Sequence, residues 1–516
     1  MFTLGYLLDY ALLSLGLYLV FRLFQRRRTS GFPLPTGPRG YPLIGNLLDI
    51  PTSYEWLTWT RLGEKWGDLI SLSVFGHTII IINSHSLAVE MLNEKNDIYS
   101  DRPHIPMVHD VCEMGDAMGC LQNGKRLRAY RKLFQNGLGT SAGIRTFHPQ
   151  EESLTKLFIS KLLESPENLI DHCFRHSGAI ILRIAYGYNA QETNDPMIDI
   201  STQAMDHFSK ASTQGEFLVN QIPLLMKIPD WFPGTGWKRT GREWAKTRRD
   251  MEEIPFSFVK EQLVNGQAED CFVTRWLAKD LSHQEEKELR HAAGSMFGGG
   301  SETTAIAIHA FVLMMCIHPS IQNSLQKEID DTIGQDRLPS FSDRDRLPYL
   351  EATLKEVKRF HTIAPNAIPH CTSTDDVQNG MFIPKGAIVL PNVWKMAHDP
   401  TVYKDPMAFN PSRFLGDRPE KDPNEYIFGF GRRSGKSRLL ADASIYITTA
   451  MILFTFDITP RDNFESGDVL VPPVYKNLSG LISRLQPFEC SITPRKEIEK
   501  LRALLADSDM ECEELV

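Results

Sequence analysis

Residues 291 to 310 read HAAGSMFGGGSETTAIAIHA, and they place Glu302, Thr303 and Thr304 just beyond three consecutive glycines. An acid beside a hydroxyl on a helix can relay protons when the hydroxyl faces a pocket. Glycines 294, 298, 299 and 300 interrupt an apolar helical pattern, where each costs about 1 kcal/mol against alanine. Four together call for close helix packing or for a flat ligand lying against the backbone. Taken alone, the stretch also reads as plain helix packing with a local hydroxyl hydrogen bond.

Two further constellations follow. LPYLEATLKEVKRFH carries Glu356 and Arg359 three apart on one helical face, and Arg413 in DPMAFNPSRF could complete a buried network with them. Such a network is tolerable only if every donor and acceptor is paired. Phe428 to Arg438 reads FGFGRRSGKSR, a loop whose glycines and arginine pair suit a large anionic group. Gly435-Lys436-Ser437 invites comparison with a phosphate-binding loop, but that loop needs glycine where this chain has Phe430.

These residues need elements to hold them. From about 86 to 360 the pattern is mostly helical, as in AVEMLN and LTKLFISKLL, and a helix resumes near Leu439. Residues 68 to 83 suggest a hairpin, and 361 to 427 break into short strand and turn pieces such as MFIPKGAIVLPN. The expected fold is therefore mainly α with a smaller β portion, in one domain over 47–505.

Ahead of that body, residues 1–21 are apolar apart from Asp9 and a few small polar groups, and Arg22, Arg26, Arg27 and Arg28 follow. At ~1.5 Å per residue the run just spans a hydrocarbon layer of ~30 Å. Charge after the apolar run, rather than before it, reads as a retained anchor with the body on the cytoplasmic side. Residues 22–46 form a basic, proline-rich hinge in which prolines 33, 35, 38 and 42 impose extended backbone. Residues 506–516 read as an acidic tail. Composition adds exclusions: 56 basic against 64 acidic side chains give a net charge of -8, with no global field for nucleic acid. The eight cysteines show no CxxC pair or zinc-like cluster and suit a reducing compartment.

Together the motifs resemble the cytochrome P450 superfamily of fungal microsomal type, nearly end to end. The resemblance rests on the anchor and proline hinge, the helix at 291 to 310, the Glu356-x-x-Arg359 pair, Pro411 to Phe414, and the loop from Phe428. It implies the P450 fold, haem b as cofactor, and NADPH-driven electron supply through a reductase partner. It also implies a small lipophilic substrate and a single-pass anchor in the endoplasmic reticulum membrane. By resemblance, Thr303 is the hydroxyl that steers protons to dioxygen and Glu302 its acidic neighbour. Arg131, His370 and Arg433 look like holders of the two haem propionates, through charge-assisted hydrogen bonds. Phe428 opens the cofactor loop, and the triad of Glu356, Arg359 and Arg413 is structural.

Two positions depart from the family. Gly435 stands where the family has its thiolate cysteine, and none of the eight cysteines falls in the loop. The thiolate's electron donation favours O–O cleavage, and glycine has no side chain to donate. Leu127 stands four residues before Arg131, where the family usually has tryptophan. Three functions stay open: a monooxygenase of fungal secondary or xenobiotic metabolism, a redox-independent cyclase or isomerase using the same lipophilic pocket, and a noncatalytic scaffold. Gly-Lys-Ser can also be encoded GGT-AAG-TCN, which contains a splice-donor-like string, so a displaced exon boundary would yield the same triplet.

Overall fold

The computed structural model describes residues 14–16, 18, 31–213, 215–435, 437–461 and 473–506. The anchor expected over 1–21 lies outside the described residues apart from four helical positions. The basic run from Arg22 to Arg28, Lys436 and the tail beyond 506 lie outside them entirely. The chain forms two compact units interleaved in sequence. The smaller comprises 1–104, 366–396 and 430–433, and the larger 105–365, 397–429 and 434–516.

The smaller unit holds α1 (Glu55–Trp66), β1 (Leu69–Val74), β2 (His77–Ile82), β3 (His370–Cys371), β4 (Asp376–Gln378), β5 (Met381–Ile383) and β6 (Ile388–Pro391). Four strands form one sheet in the order β1-β2-β6-β3, and β4 pairs with β5. The hairpin expected over 68 to 83 is β1 with β2. Phe75 and Gly76 turn between them at φ of 47° and 84°, the two left-handed positions that a two-residue hairpin turn demands. Ile79 to Ile82 are all buried, because β2 is an inner strand paired antiparallel with β1 and parallel with β6. A strand covered on both faces needs no polar alternation. The proline-rich segment lies along this sheet. The Thr36 carbonyl accepts from the Ser71 amide at 3.1 Å, and the Pro33 carbonyl accepts from the Phe382 amide at 2.7 Å.

The larger unit is built on helices: α2 (Lys125–Leu138), α3 (His148–Glu164), α4 (Leu169–Tyr186), α5 (Pro196–Ser212), α6 (Gly236–Val264), α7 (His283–Ile317), α8 (Pro348–Phe360) and α9 (Arg438–Thr455). β7 (Phe456–Pro460) pairs antiparallel with β8 (Cys490–Pro494), and α10 (Ile498–Ala506) closes the described chain. α7 begins at a capping box, in which the Ser282 hydroxyl accepts from the Glu285 amide and the Glu285 carboxylate accepts from the Ser282 amide. Ile308, Phe311, Val312 and Met315 of α7 share one core with Phe158 of α3, Cys173 of α4, and Ile445 and Ile452 of α9. α7 and α9 are long and apolar enough to cross a membrane, yet both are mostly buried inside the protein. Core packing explains their apolarity. α10 falls in a region expected to be extended; its apolar positions 498, 501, 504 and 505 carry a helical spacing.

Candidate functional site

The four glycines of α7 divide into two kinds. A methyl on Gly294 would collide with Glu252 of α6, one on Gly298 would lie 2.9 Å from Met205 Sδ of α5, and one on Gly300 would lie 2.7 Å from Ile181 Cδ1 of α4. These three glycines allow close helix packing. Gly299 meets nothing within 4 Å and is exposed within the stretch 291–316 of α7, where all residues but Ser295, Gly299, Gly300 and Thr303 are buried. Ser295 and Thr303, four residues to either side, are half-buried. At i, i+4 and i+8 the three form one stripe, accessible along the middle of α7.

Thr303 Oγ1 donates to the Gly299 carbonyl at 2.9 Å, which leaves its oxygen able to accept from that face. Glu302 is only 6% exposed, and its carboxylate accepts from Arg484 at 2.7 Å (Nε) and 2.6 Å (Nη2). Arg484 stacks its guanidinium 5.4 Å from the Phe174 ring of α4. The segment bearing it is a narrow turn, in which the Leu478 amide donates to the Arg484 carbonyl at 2.6 Å and the Gln486 amide to the Lys476 carbonyl at 2.9 Å. Sequence reasoning missed Arg484, and no local signal could have found it, since its partner lies 182 residues away.

Ser295 also meets the segment 113–121. Its hydroxyl accepts from the Met118 amide at 2.9 Å and donates to the His291 carbonyl at 2.8 Å. One turn earlier, the His291 ring nitrogen Nδ1 lies 2.7 Å from a Glu252 oxygen, and Glu252 also accepts from Arg248 at 2.9 Å. Asp116 accepts from Arg126 at 2.7 Å and lies 3.5 Å from His291 Nε2. Burial alone would raise the Asp116 pKa, but Arg126, with His291 and Arg248 beyond it, holds the carboxyl below its ordinary range.

The loop residues are placed by backbone bonds. The Gly435 amide donates to the Phe428 carbonyl at 2.8 Å, and Arg131 of α2 donates to the Ser434 carbonyl at 3.0 Å. Burial lowers the Arg131 pKa, and no carboxylate pairs with it among the described residues. A partly desolvated guanidinium without a counter-charge fits an anionic ligand. Leu127, one turn earlier, is a buried core residue. In the smaller unit, His370 Nδ1 donates to the Tyr99 carbonyl at 2.7 Å and Arg433 Nε donates to the adjacent Ser100 carbonyl at 2.7 Å. His370 is 2% exposed; burial, then the nearby Arg102 and Arg433 charges, hold its pKa well below the ordinary histidine value. A neutral imidazole follows. His370 and Arg433 thus lie in the smaller unit, where they bond successive carbonyls; Arg131, Phe428, Gly435, Glu302 and Thr303 lie in the larger, where Arg131 and Gly435 bond the backbone of one loop and Glu302 and Thr303 stand on α7.

The structural triad is complete. Glu356 of α8 accepts from Arg359 at 2.7 and 2.8 Å, from Arg413 at 3.1 Å and from the Asn410 amide at 2.8 Å. Arg359 further donates to the carbonyls of Ala397 and Pro406, both at 2.8 Å. Every buried charge here has partners, as a network of this kind requires.

A haem needs donors for its carboxylates and a ligand for its iron. Arg131 fits the first requirement. Gly435, the position expected for the second, has no side chain to coordinate a metal. Arg131 thus suits an anionic group, and Gly435 supplies no ligand atom.

A family model for cytochrome P450 matches residues 35–474. The chain is 41% identical over 480 residues to cytochrome P450 monooxygenase 208 of Postia placenta, covering 92% of this chain and 93% of that protein. It is 39% identical over 507 residues to cytochrome P450 monooxygenase claR of Ampulloclitocybe clavipes, covering 97% and 93%. It is 34% identical over 505 residues to the O-methylsterigmatocystin oxidoreductase of Aspergillus flavus, covering 96% and 94%.

Proposed function

The chain belongs to the cytochrome P450 family, and on that premise we propose that it is an oxidoreductase of P450 type, by descent an NADPH- and O2-dependent monooxygenase. Its substrate is a small lipophilic compound of fungal secondary or xenobiotic metabolism. The body sits on the cytoplasmic face of the endoplasmic reticulum membrane, held by residues 1–21. The observation that carries this reading is the accessible stripe of Ser295, Gly299 and Thr303 on a stretch of α7, residues 291–316, that is buried apart from these and Gly300.

On this reading an apolar substrate lies against Gly299, where no side chain intrudes, and Thr303 Oγ1 accepts a hydrogen bond or holds a proton at that face. Glu302 acts as an anion held by Arg484. Arg131, and His370 and Arg433 of the smaller unit, would supply donors to the carboxylates of haem b, which would provide the redox chemistry. Lys125, Arg128 and Lys132 are exposed at i, i+3 and i+7 on α2 and offer a basic face to a reductase. Arg126, in the same run, is occupied by Asp116.

Gly435 favours a second reading, because it supplies no thiolate: redox-independent cyclisation or isomerisation against the same stripe, or a noncatalytic scaffold. Holding a reactive substrate in one pose can by itself lower a barrier by several kcal/mol. The deciding experiment is the reduced, carbon-monoxide difference spectrum of protein made from a verified transcript, with haem content measured on the same sample. Stoichiometric haem with the thiolate-type band supports the monooxygenase. Absent haem, with substrate conversion that needs neither NADPH nor O2, supports the second reading.

A further inference from the structure

Within the larger unit, α3, α4 and the chain from 190 to 198 frame a cleft of about 460 Å³, a volume in the range of small-molecule sites. Its apolar wall is made by Leu154 and Phe158 of α3, Ala179 of α4 and Ile198 of α5, and Leu157, 42% exposed, continues it to the surface. Ser295, Gly299 and Thr303 do not line it, so the cleft is separate from the accessible stripe of α7.

Arg175 of α4 is a half-buried member of the same lining. Among the described residues it makes a single long hydrogen bond, from Nη2 to Asn194 Oδ1 at 3.4 Å, while Nη1 is shut off from water with no partner. A guanidinium that has lost part of its water without gaining a counter-charge is costly, and an anion brought to it offsets that cost.

The acids of the lining do not supply that anion. Lys161 holds Glu164 at 3.3 Å and Glu192 at 2.8 Å, and Asp171, one turn before Arg175, is exposed and forms no ion pair among the described residues. His176 adds no charge, because burial pushes its pKa down to about 3, and its Nε2 lies 2.8 Å from the Thr448 hydroxyl. One cation therefore stands uncompensated beside an apolar wall. The surplus carboxylate of the Lys161 cluster disfavours a dianion such as a phosphate ester, whereas a single carboxylate matches one guanidinium in charge and in its two-pronged geometry.

The wall opposite α4 is already built. Asp195, fully buried, accepts from the amides of Met197, Ile198 and Gln191 at 2.9, 3.1 and 2.8 Å and from the Tyr188 hydroxyl at 3.0 Å. These four bonds fix the turn that carries Asn194 and Ile198.

We propose that this cleft binds a small amphipathic monocarboxylate, with its carboxylate on Arg175 and its hydrocarbon part against Leu154, Phe158, Ala179 and Ile198. The site requires neither haem nor any side chain at 435.

The test uses the full-length protein in lipid nanodiscs, with empty nanodiscs as the blank, octanoate as the probe and octanol as its uncharged counterpart. Isothermal titration should give one octanoate per chain, bound about tenfold or more tighter than octanol. Hydrogen exchange should slow at 154–158, 175–179 and 190–198 and stay unchanged at 295–303. Arg175→Gln should weaken octanoate about tenfold or more and leave octanol as it was. It should also melt no lower than wild type, since the arginine gives up only one long bond. Ala179→Leu fills the cleft and should abolish binding of both probes; if either variant fails to fold, the other decides. Absence of octanoate binding overturns the proposal, as does protection at 295–303 in place of the cleft, equal affinity for octanol, or octanoate binding that survives either substitution. A clear drop in the melting temperature of Arg175→Gln overturns it too, because Arg175 would then already have a partner.

Discussion

Arg484 and Glu302 form an ion pair in which a guanidinium nitrogen lies 2.7 Å from a buried carboxylate, one residue before Thr303. Arg484 is 39% exposed at its side chain, whereas Glu302 is enclosed. The pair therefore secures the turn around 478–486 to α7. Arg484→Ala leaves the Glu302 charge buried and unpaired, and should cost about 1–2 kcal/mol in urea unfolding, more than a median surface pair. Glu302→Gln in the Arg484→Ala background should recover much of that loss. A change below about 0.3 kcal/mol in the first variant would show the pair to be fully solvated.

The division among the α7 glycines predicts substitutions of opposite sign. Gly299→Ala meets open space and replaces a poor helix former, so it should stabilise by about 0.5–1 kcal/mol. Gly294→Ala drives a methyl into Glu252, whose two oxygens are already committed to Arg248 and His291, and should destabilise by about 1–3 kcal/mol. Denaturant midpoints of the two variants decide it.

Glu151 of α3 is buried and receives a hydrogen bond from the Ser444 hydroxyl of α9 at 2.6 Å. Burial pushes its pKa from the ordinary 4.5 up to about 8. The folded state thus keeps a proton that the unfolded state has lost between those values. Its effect on stability is absent below pH 4.5 and grows unfavourable toward pH 8, at about 1.4 kcal/mol per pH unit at its steepest. Glu151→Gln removes this slope, so its advantage over wild type should rise from pH 5 to pH 8. Equal pH dependence in both proteins would mean that Glu151 ionises freely in the fold.

Asp116→Asn weakens the hold of Arg126 and His291 on the segment 113–121, while the Met118 to Ser295 bond remains. Hydrogen exchange should quicken across 114–121 and stay unchanged in the core of α7 near Phe311. The same loosening should appear in wild type only when pH falls through the depressed Asp116 pKa, because the carboxylate form is the one that Arg126 stabilises.

Much of this was legible in one dimension. The β1–β2 hairpin announced itself by β-branched runs around Phe75-Gly76, and α9 by the apolar run from Leu439. Glu356 and Arg359 were a pair by spacing alone, three apart on one helical face. The short helix Ile498–Ala506 carries its helical spacing at Ile498, Leu501, Leu504 and Leu505, but nine residues among extended neighbours give a weak periodic signal.

The remainder depended on residues distant in sequence. Four glycines in one helix look alike until Glu252, Met205 and Ile181 arrive against three of them and nothing arrives against Gly299. Glu302 reads as a free acid until Arg484 pairs with it, and Arg131 reads as one of five basic residues on α2 until its half-burial without a carboxylate sets it apart. Local pattern determines which element a segment forms, because helix and strand spacing are properties of neighbours. Which atoms lose water, and what replaces it, is decided only when distant segments meet. Gly435 joins both levels: its identity is written in the chain, and the room for a Cβ beside it, 3.6 Å from the Phe428 carbonyl oxygen, appears only in the folded loop.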